Sequence, residues 1–126
     1  MRAIALFIAA SATIFLASPL RAQDAAAGEK VFTKCKVCHI ADQDQNKVGP
    51  SLQGVIGRTA GTHPGFTYSP AMIEAGKSGI KWDEPTLTKY LHDPRGMIKG
   101  TKMAFPGLKN DQDVANVIAY LKQFSK

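Results

Sequence analysis

The sequence predicts a small all-α domain of about four helices joined by long irregular connections. Three observations support this. The chain has 126 residues, room for one domain and too few for a multi-domain enzyme. Its best-defined segment is helical: Val114, Val117, Ile118 and Leu121 recur at the spacing of one helix face, with Phe124 beyond. No stretch alternates apolar and polar residues as a half-buried strand would.

The chain opens with Met1-Arg2, an apolar run from Ala3 to Ala17 broken by Ser11 and Thr13, and then Ser18-Pro19-Leu20-Arg21-Ala22. That is the order of a secretory signal peptide, expected over residues 1–22. A membrane anchor would need about 20 apolar residues, more than the run supplies. Cleavage is expected after Ala22, with Ala17 as the alternative. Removing 22 of the 126 residues leaves a 104-residue domain, 23–126, and losing Arg2 and Arg21 lowers the formal charge from +6 to +4. Export implies the periplasm, where two cysteines would ordinarily pair.

Asp24 to Lys36 reads as the first helix, with Ala25 to Ala27 as strong formers and Val31, Phe32 and Cys35 near one face. From His39 to Tyr68 periodicity vanishes, and Gly49-Pro50, Gly54, Gly57, Gly61 and Pro64-Gly65 punctuate the chain. So long a loop in a compact domain implies that it wraps something. Ser69 to Gly76 has an N-cap Ser, Pro at the first helical position and a terminating Gly. Asp83 caps a third helix that turns Leu87, Tyr90 and Leu91 inward and stops before Pro94. Asn110 or Asp111 starts the last. Four helices with this much loop make a small core, so another body is expected to fill its centre.

Cys35-Lys36-Val37-Cys38-His39 is C-x-x-C-H, the attachment pattern of a c-type haem. Two thiols at this spacing can each add to a vinyl group on one porphyrin edge, and the adjacent His39 imidazole can bind the iron. The thiols become thioethers, which removes the expected disulfide. A thioredoxin-like dithiol would want a βαβ setting, and a structural zinc site would want four ligands. Neither is available.

The second iron ligand separates an electron carrier from a haem protein with an exchangeable site, such as a peroxidase-like enzyme or gas sensor. Met72, Met97, Met103, His63 and His92 are the candidates. Met72 lies at helical spacing beside Ile73, as a core residue would. Met103 sits in a non-helical loop, Gly100-Thr101-Lys102-Met103-Ala104-Phe105-Pro106-Gly107, with no core stripe to join. Local grounds favour Met103 and leave Met97 as a rival.

Further segments match a known pattern: Gly28-Glu29-Lys30-Val31-Phe32 before the C-x-x-C-H, Val48-Gly49-Pro50-Ser51-Leu52, Gly57-Arg58, Gly65-Phe66-Thr67-Tyr68-Ser69, Trp82, Leu91-His92-Asp93-Pro94, Lys99-Gly100-Thr101-Lys102-Met103 and Ala119-Tyr120-Leu121. Over residues 24 to 126 the chain resembles a class I c-type cytochrome of the bacterial cytochrome c2 type, similar to mitochondrial cytochrome c. The resemblance implies four to five helices with long loops wrapped around one covalently bound haem. It implies attachment through Cys35 and Cys38, His39 and Met103 as axial ligands, and the Pro50 carbonyl on the far nitrogen of His39. It places Arg58, Tyr68 and Trp82 at the haem propionates, and Tyr90 and Thr101 on the methionine side. One departure stands out: Met72 replaces the asparagine of mitochondrial relatives, followed by a longer segment through Gly79, so their internal water network is not carried over.

The same resemblance implies a soluble, monomeric electron carrier rather than an enzyme, presenting one haem edge to a donor and then an acceptor. Lys34, Lys47, Lys102 and Lys109 match its docking lysines, with Lys36, Arg95 and Lys99 nearby. The expected partners are acidic electron-transfer proteins such as a cytochrome bc1 complex, a terminal oxidase or a photosynthetic reaction centre. Nucleic acid fits poorly, because the charges are scattered and no recognition motif accompanies them.

Overall fold

The computed structural model describes residues 23–125; the expected leader and its cleavage after Ala22 lie outside them. Five helices follow in order: α1 (Ala25–Phe32), α2 (Pro70–Lys77), α3 (Glu84–His92), α4 (Pro94–Met97) and α5 (Asp111–Lys122). Each of the four longer helices starts at a side-chain cap, since the first backbone N–H groups of a helix have no internal partner. Asp24 accepts from Ala27 N–H, Ser69 from Met72, Asp83 from Thr86, and Asn110 from both Gln112 and Asp113. Asp93 closes α3 and caps the single turn of α4.

Two expectations need correction. The first helix was expected to reach Lys36, but α1 ends at Phe32 and the chain tightens: Lys34 N–H bonds Val31 O and Cys35 N–H bonds Phe32 O at 2.7 Å. Turns continue to Cys38. Gly76, expected to end the second helix, lies inside it; a Cβ there would run into the Ala60 carbonyl. The stop comes at Gly79, whose φ of +98° a side chain would resist.

α1 crosses α5 at Gly28, where an added Cβ would lie 2.5 Å from the Asn116 carbonyl carbon. The close approach lets Phe32 pack on Tyr120 at 5.2 Å between ring centroids and buries Val114, Val117, Ile118 and Leu121. Burying a side chain of this size contributes roughly 1.5–3 kcal/mol.

The long connection from 39 to 68 is held by scattered bonds. Gly54 N–H reaches Phe124 O at 2.8 Å, and one antiparallel bridge joins Thr59 to Lys81. Beside that bridge Trp82 N–H donates to Arg58 O, and Gly57 N–H donates to Trp82 O, both at 2.9 Å. The described residues contain this bridge and no sheet. None of their helices is long and apolar enough to cross a membrane.

Candidate haem site

The loops and helices enclose a cavity of about 510 Å³. That is within the size range of cofactor pockets, roughly 300–1,000 Å³. Phe32, Leu52, Val55, Leu87, Leu91, Phe105, Val117 and Leu121 give it apolar walls. Cys35, Cys38, His39, Pro50, Arg58, Tyr68, Trp82, Tyr90, Thr101 and Met103 all line it. Residues dispersed over most of the chain therefore meet in one place.

His39 is set by two neighbours. Its Nδ1 lies 2.8 Å from the Pro50 carbonyl, which makes Nδ1 the protonated nitrogen and leaves a lone pair on Nε2. Gly49 packs on the ring face: a Cβ there would fall 2.8 Å from Nδ1 and 2.9 Å from Nε2. Burial lowers the His39 pKa, the Pro50 bond opposes this, and Lys47 adds to the lowering. The imidazole stays neutral at pH 7, the form that binds metals. Burial pushes the Cys35 thiol up to about 11 against the pull of Lys34. Cys35 and Cys38 are not joined in a disulfide.

Opposite chemistry comes from the 99–107 loop. Tyr90 Oη lies 3.1 Å from Thr101 Oγ1, and Lys102 Nζ donates to Thr67 O at 2.9 Å, so the segment bearing Met103 is fastened on both sides. Met72 also lines the cavity while belonging to the buried core. Met97 packs against the core outside the cavity. His63 Nε2 sits 2.8 Å from Asp44 Oδ1, and His92 Nδ1 lies 2.8 Å from Leu108 O with Nε2 3.1 Å from Asp111 Oδ1. Both imidazoles are occupied away from the cavity wall.

Arg58 spans the lower loops, donating Nη1 to Ser51 O at 2.9 Å and Nη2 to Gln53 O. Tyr68 Oη accepts from His63 N–H at 3.2 Å, and Phe66 meets Tyr68 edge-on at 4.8 Å. Burial raises the Tyr68 pKa, with the His63 N–H and Arg58 opposing.

Of the basic residues, Lys34 and Lys102 line the cavity, and Lys47 Nζ reaches Lys36 O at 2.9 Å. Lys109 Nζ rests on the His92 and Pro106 carbonyls. Arg95 and Lys99 are exposed and are not part of the cavity lining. Sequence reasoning missed the apolar rim: Val37 and Val48 line the cavity yet are 74% and 76% exposed. It also read Gly49 as a loop signal within a matched segment and gave it no role at the His39 ring.

The Cytochrome c family model matches residues 25–125. The chain belongs to the cytochrome c family. This cytochrome is 60% identical over 91 residues to cytochrome c2 iso-2 of Magnetospirillum fulvum, covering 72% of this chain and 92% of that one. It is 47% identical over 122 residues to cytochrome c2 of Rhodomicrobium vannielii, covering 96% and 95% of the two chains. The structure of cytochrome c2 from Rhodospirillum centenum superposes with a TM-score of 0.78 at 42% identity, covering 82% and 99%.

This cytochrome is a monohaem electron carrier with covalently bound haem c. Its residues fit that group: paired thiols beside a neutral imidazole, a glycine that clears the imidazole face, a thioether on the 99–107 loop and apolar walls between them. A thioether and an imidazole are the soft and intermediate donors that suit haem iron.

Proposed function

We propose that this cytochrome is exported to the periplasm, loses residues 1–22, and shuttles single electrons between membrane redox complexes as a soluble monomer. The observation that carries the reading is the convergence of Cys35, Cys38, His39 and Met103 on one apolar cavity. Haem c supplies a one-electron couple. Cys35 and Cys38 would tether it, His39 Nε2 and the Met103 sulfur would hold its iron, and Arg58, Tyr68 and Trp82 would face its propionates.

The protein's own work is positional. Pro50 fixes the ring and tautomer of His39. Tyr90 and Thr101 hold the methionine loop. The apolar walls would keep water from the haem, and with His39 and Met103 both holding the iron the group would exchange electrons rather than bind a substrate, which makes the protein a carrier rather than an enzyme. Val37 and Val48 line the cavity while exposed, Lys34 and Lys102 share that lining and Lys47 is bonded to Lys36 O, whereas Lys109, Arg95 and Lys99 lie off it. The partner this fits is an acidic electron-transfer protein such as a cytochrome bc1 complex, a terminal oxidase or a photosynthetic reaction centre.

The test is Met103→Ala in the haem-loaded protein. Loss of the sulfur-to-iron charge-transfer band with the haem still attached is the expected result; an intact band would reject Met103. Rapid carbon monoxide binding by the reduced native protein at neutral pH would overturn the carrier reading in favour of an exchangeable site.

A further inference from the structure

The loop that carries Met103 is fastened near its start by Tyr90 and Thr101. Beyond Met103, residues 103–110 form no helix, turn or bridge, so their path is set by what holds their far end. At 107–109 the chain is tied to the last turn of α3. Leu108 N–H donates to Leu91 O at 2.7 Å, Lys109 Nζ donates to His92 O at 3.1 Å, and a Cβ at Gly107 would run into the His92 carbonyl. The His92 ring adds two contacts. Nδ1 lies 2.8 Å from Leu108 O, and Nε2 lies 3.1 Å from Asp111 Oδ1 in the first turn of α5.

Both of those oxygens are acceptors, since a carbonyl and an ionised carboxylate have no proton to give. The imidazolium carries a proton on each nitrogen and satisfies both at once. A neutral ring has one proton and turns a lone pair toward one of the two acceptors. The cationic form is also favoured at the carboxyl end of α3, where the aligned peptide dipoles place partial negative charge. The charged groups that meet His92 from other elements are Asp111 on α5, at the ring, and Lys109 on the loop, at the backbone carbonyl. On its own side stand Lys89 in α3 and Asp93 and Arg95 just beyond it.

We propose that His92 is a positioning residue for the iron site: its imidazolium clamps the exit of the methionine loop to α3 and α5, and loss of its proton loosens the hold on Met103. The proposal rests on the reading of Met103 as axial ligand. His92 acts through the loop, shifting the equilibrium between a closed state and one in which Met103 has left the iron. The His92 side chain is 30% exposed and that of Asp111 79%, so the charge pair is expected to shift this equilibrium by about two- to fivefold.

The test is the affinity of the oxidised, haem-loaded protein for added imidazole, which takes the position Met103 vacates, followed by loss of the sulfur-to-iron charge-transfer band. It is measured at about pH 5.5 and about pH 8.5, on either side of the range in which imidazoles titrate. Each variant is compared with native protein at the same pH, so the ionisation of the added imidazole cancels. His92→Gln keeps a donor and removes the charge. It should bind imidazole about two- to fivefold more tightly than native protein at the lower pH and equally at the higher one. His92→Leu, with neither donor, should bind more tightly at both. Glu84→Gln, which breaks an ion pair away from the loop, should match native protein throughout. Equal affinities of His92→Gln and native protein at the lower pH would overturn the proposal, as would the same gain at both pH values or an equal gain in Glu84→Gln. Those outcomes leave Met103 as the ligand. A charge-transfer band that survives Met103→Ala would instead remove the ligand reading, and the clamp with it.

Discussion

The Tyr90 and Thr101 hydroxyls lie 3.1 Å apart and join α3 to the loop that carries Met103. Tyr90 is buried and tilts against Trp82 at 4.8 Å between ring centroids. Burial raises its pKa, with the Thr101 bond pulling the other way. Thr101→Val therefore strands a buried hydroxyl and is expected to cost about 1–3 kcal/mol. Tyr90→Phe removes the other half of the same bond. In denaturant unfolding of the haem-loaded protein, the double variant should lose less than the two single variants combined; strict additivity would show that the contact does not fasten the loop.

Gly49 leaves no room for a side chain against His39. Gly49→Ala puts a Cβ 2.8 Å from Nδ1, so either the ring or the Gly49-Pro50 backbone must move, and the His39 bond to Pro50 moves with it. The expected loss is about 1–3 kcal/mol, as for overpacking elsewhere. Gly54→Asn is the comparison, because Gly54 has open space around it and asparagine tolerates its φ of +72°. Equal melting points for Gly49→Ala and the native protein would remove the steric argument.

Glu84 gives a pH dependence of known sign. Its bond to Lys122, and secondarily the one to Gln23, lowers its pKa below the ordinary 4.5. A depressed carboxylate stabilises the fold above its unfolded pKa and loses that contribution as pH falls through the folded value. The pair is well exposed, so Glu84→Gln is expected to cost about 0.5 kcal/mol at pH 7. The gap between variant and native protein should close as pH falls below the ordinary 4.5 and through the lowered folded value, as read from denaturant midpoints. A gap that stays constant with pH would mean that charge is not its cause.

The parts legible in the sequence are those set by local chemistry. Ser69, Asp83 and Asn110 announce helix starts because a cap acts within three residues. C-x-x-C-H is legible because haem attachment fixes its spacing. Contacts between distant segments are not written in any local pattern. Gly76 looks like a stop, yet its missing Cβ serves Ala60, sixteen positions earlier. The bonds of Trp82 to Arg58 and Gly57 depend on two irregular stretches meeting, which no periodicity signals. His63 was a plausible ligand by residue type; its pairing with Asp44 emerges only in three dimensions.

The basic rim makes a prediction about rates. Lys34 and Lys102 line the cavity, the Lys47 ammonium touches Lys36 O, and the exposed Val37 and Val48 belong to the same rim. Charges placed there can steer an acidic partner over a Debye length of about 8–10 Å at ordinary ionic strength. At low salt, Lys34→Glu and Lys36→Glu are each expected to slow bimolecular electron transfer by about tenfold, within the range of steering effects. The salt dependence of both should flatten relative to the native protein. Arg95→Glu and Lys99→Glu, reversing charges that neither line the cavity nor adjoin Val37 in the chain, should change the rate less, and Lys77→Glu at the end of α2 least. Stopped-flow rates against an acidic redox partner across a salt series decide the matter. If the native rate does not fall as salt rises, or if all five reversals slow it equally, only net charge or no charge at all is acting, and the rim is not the docking surface.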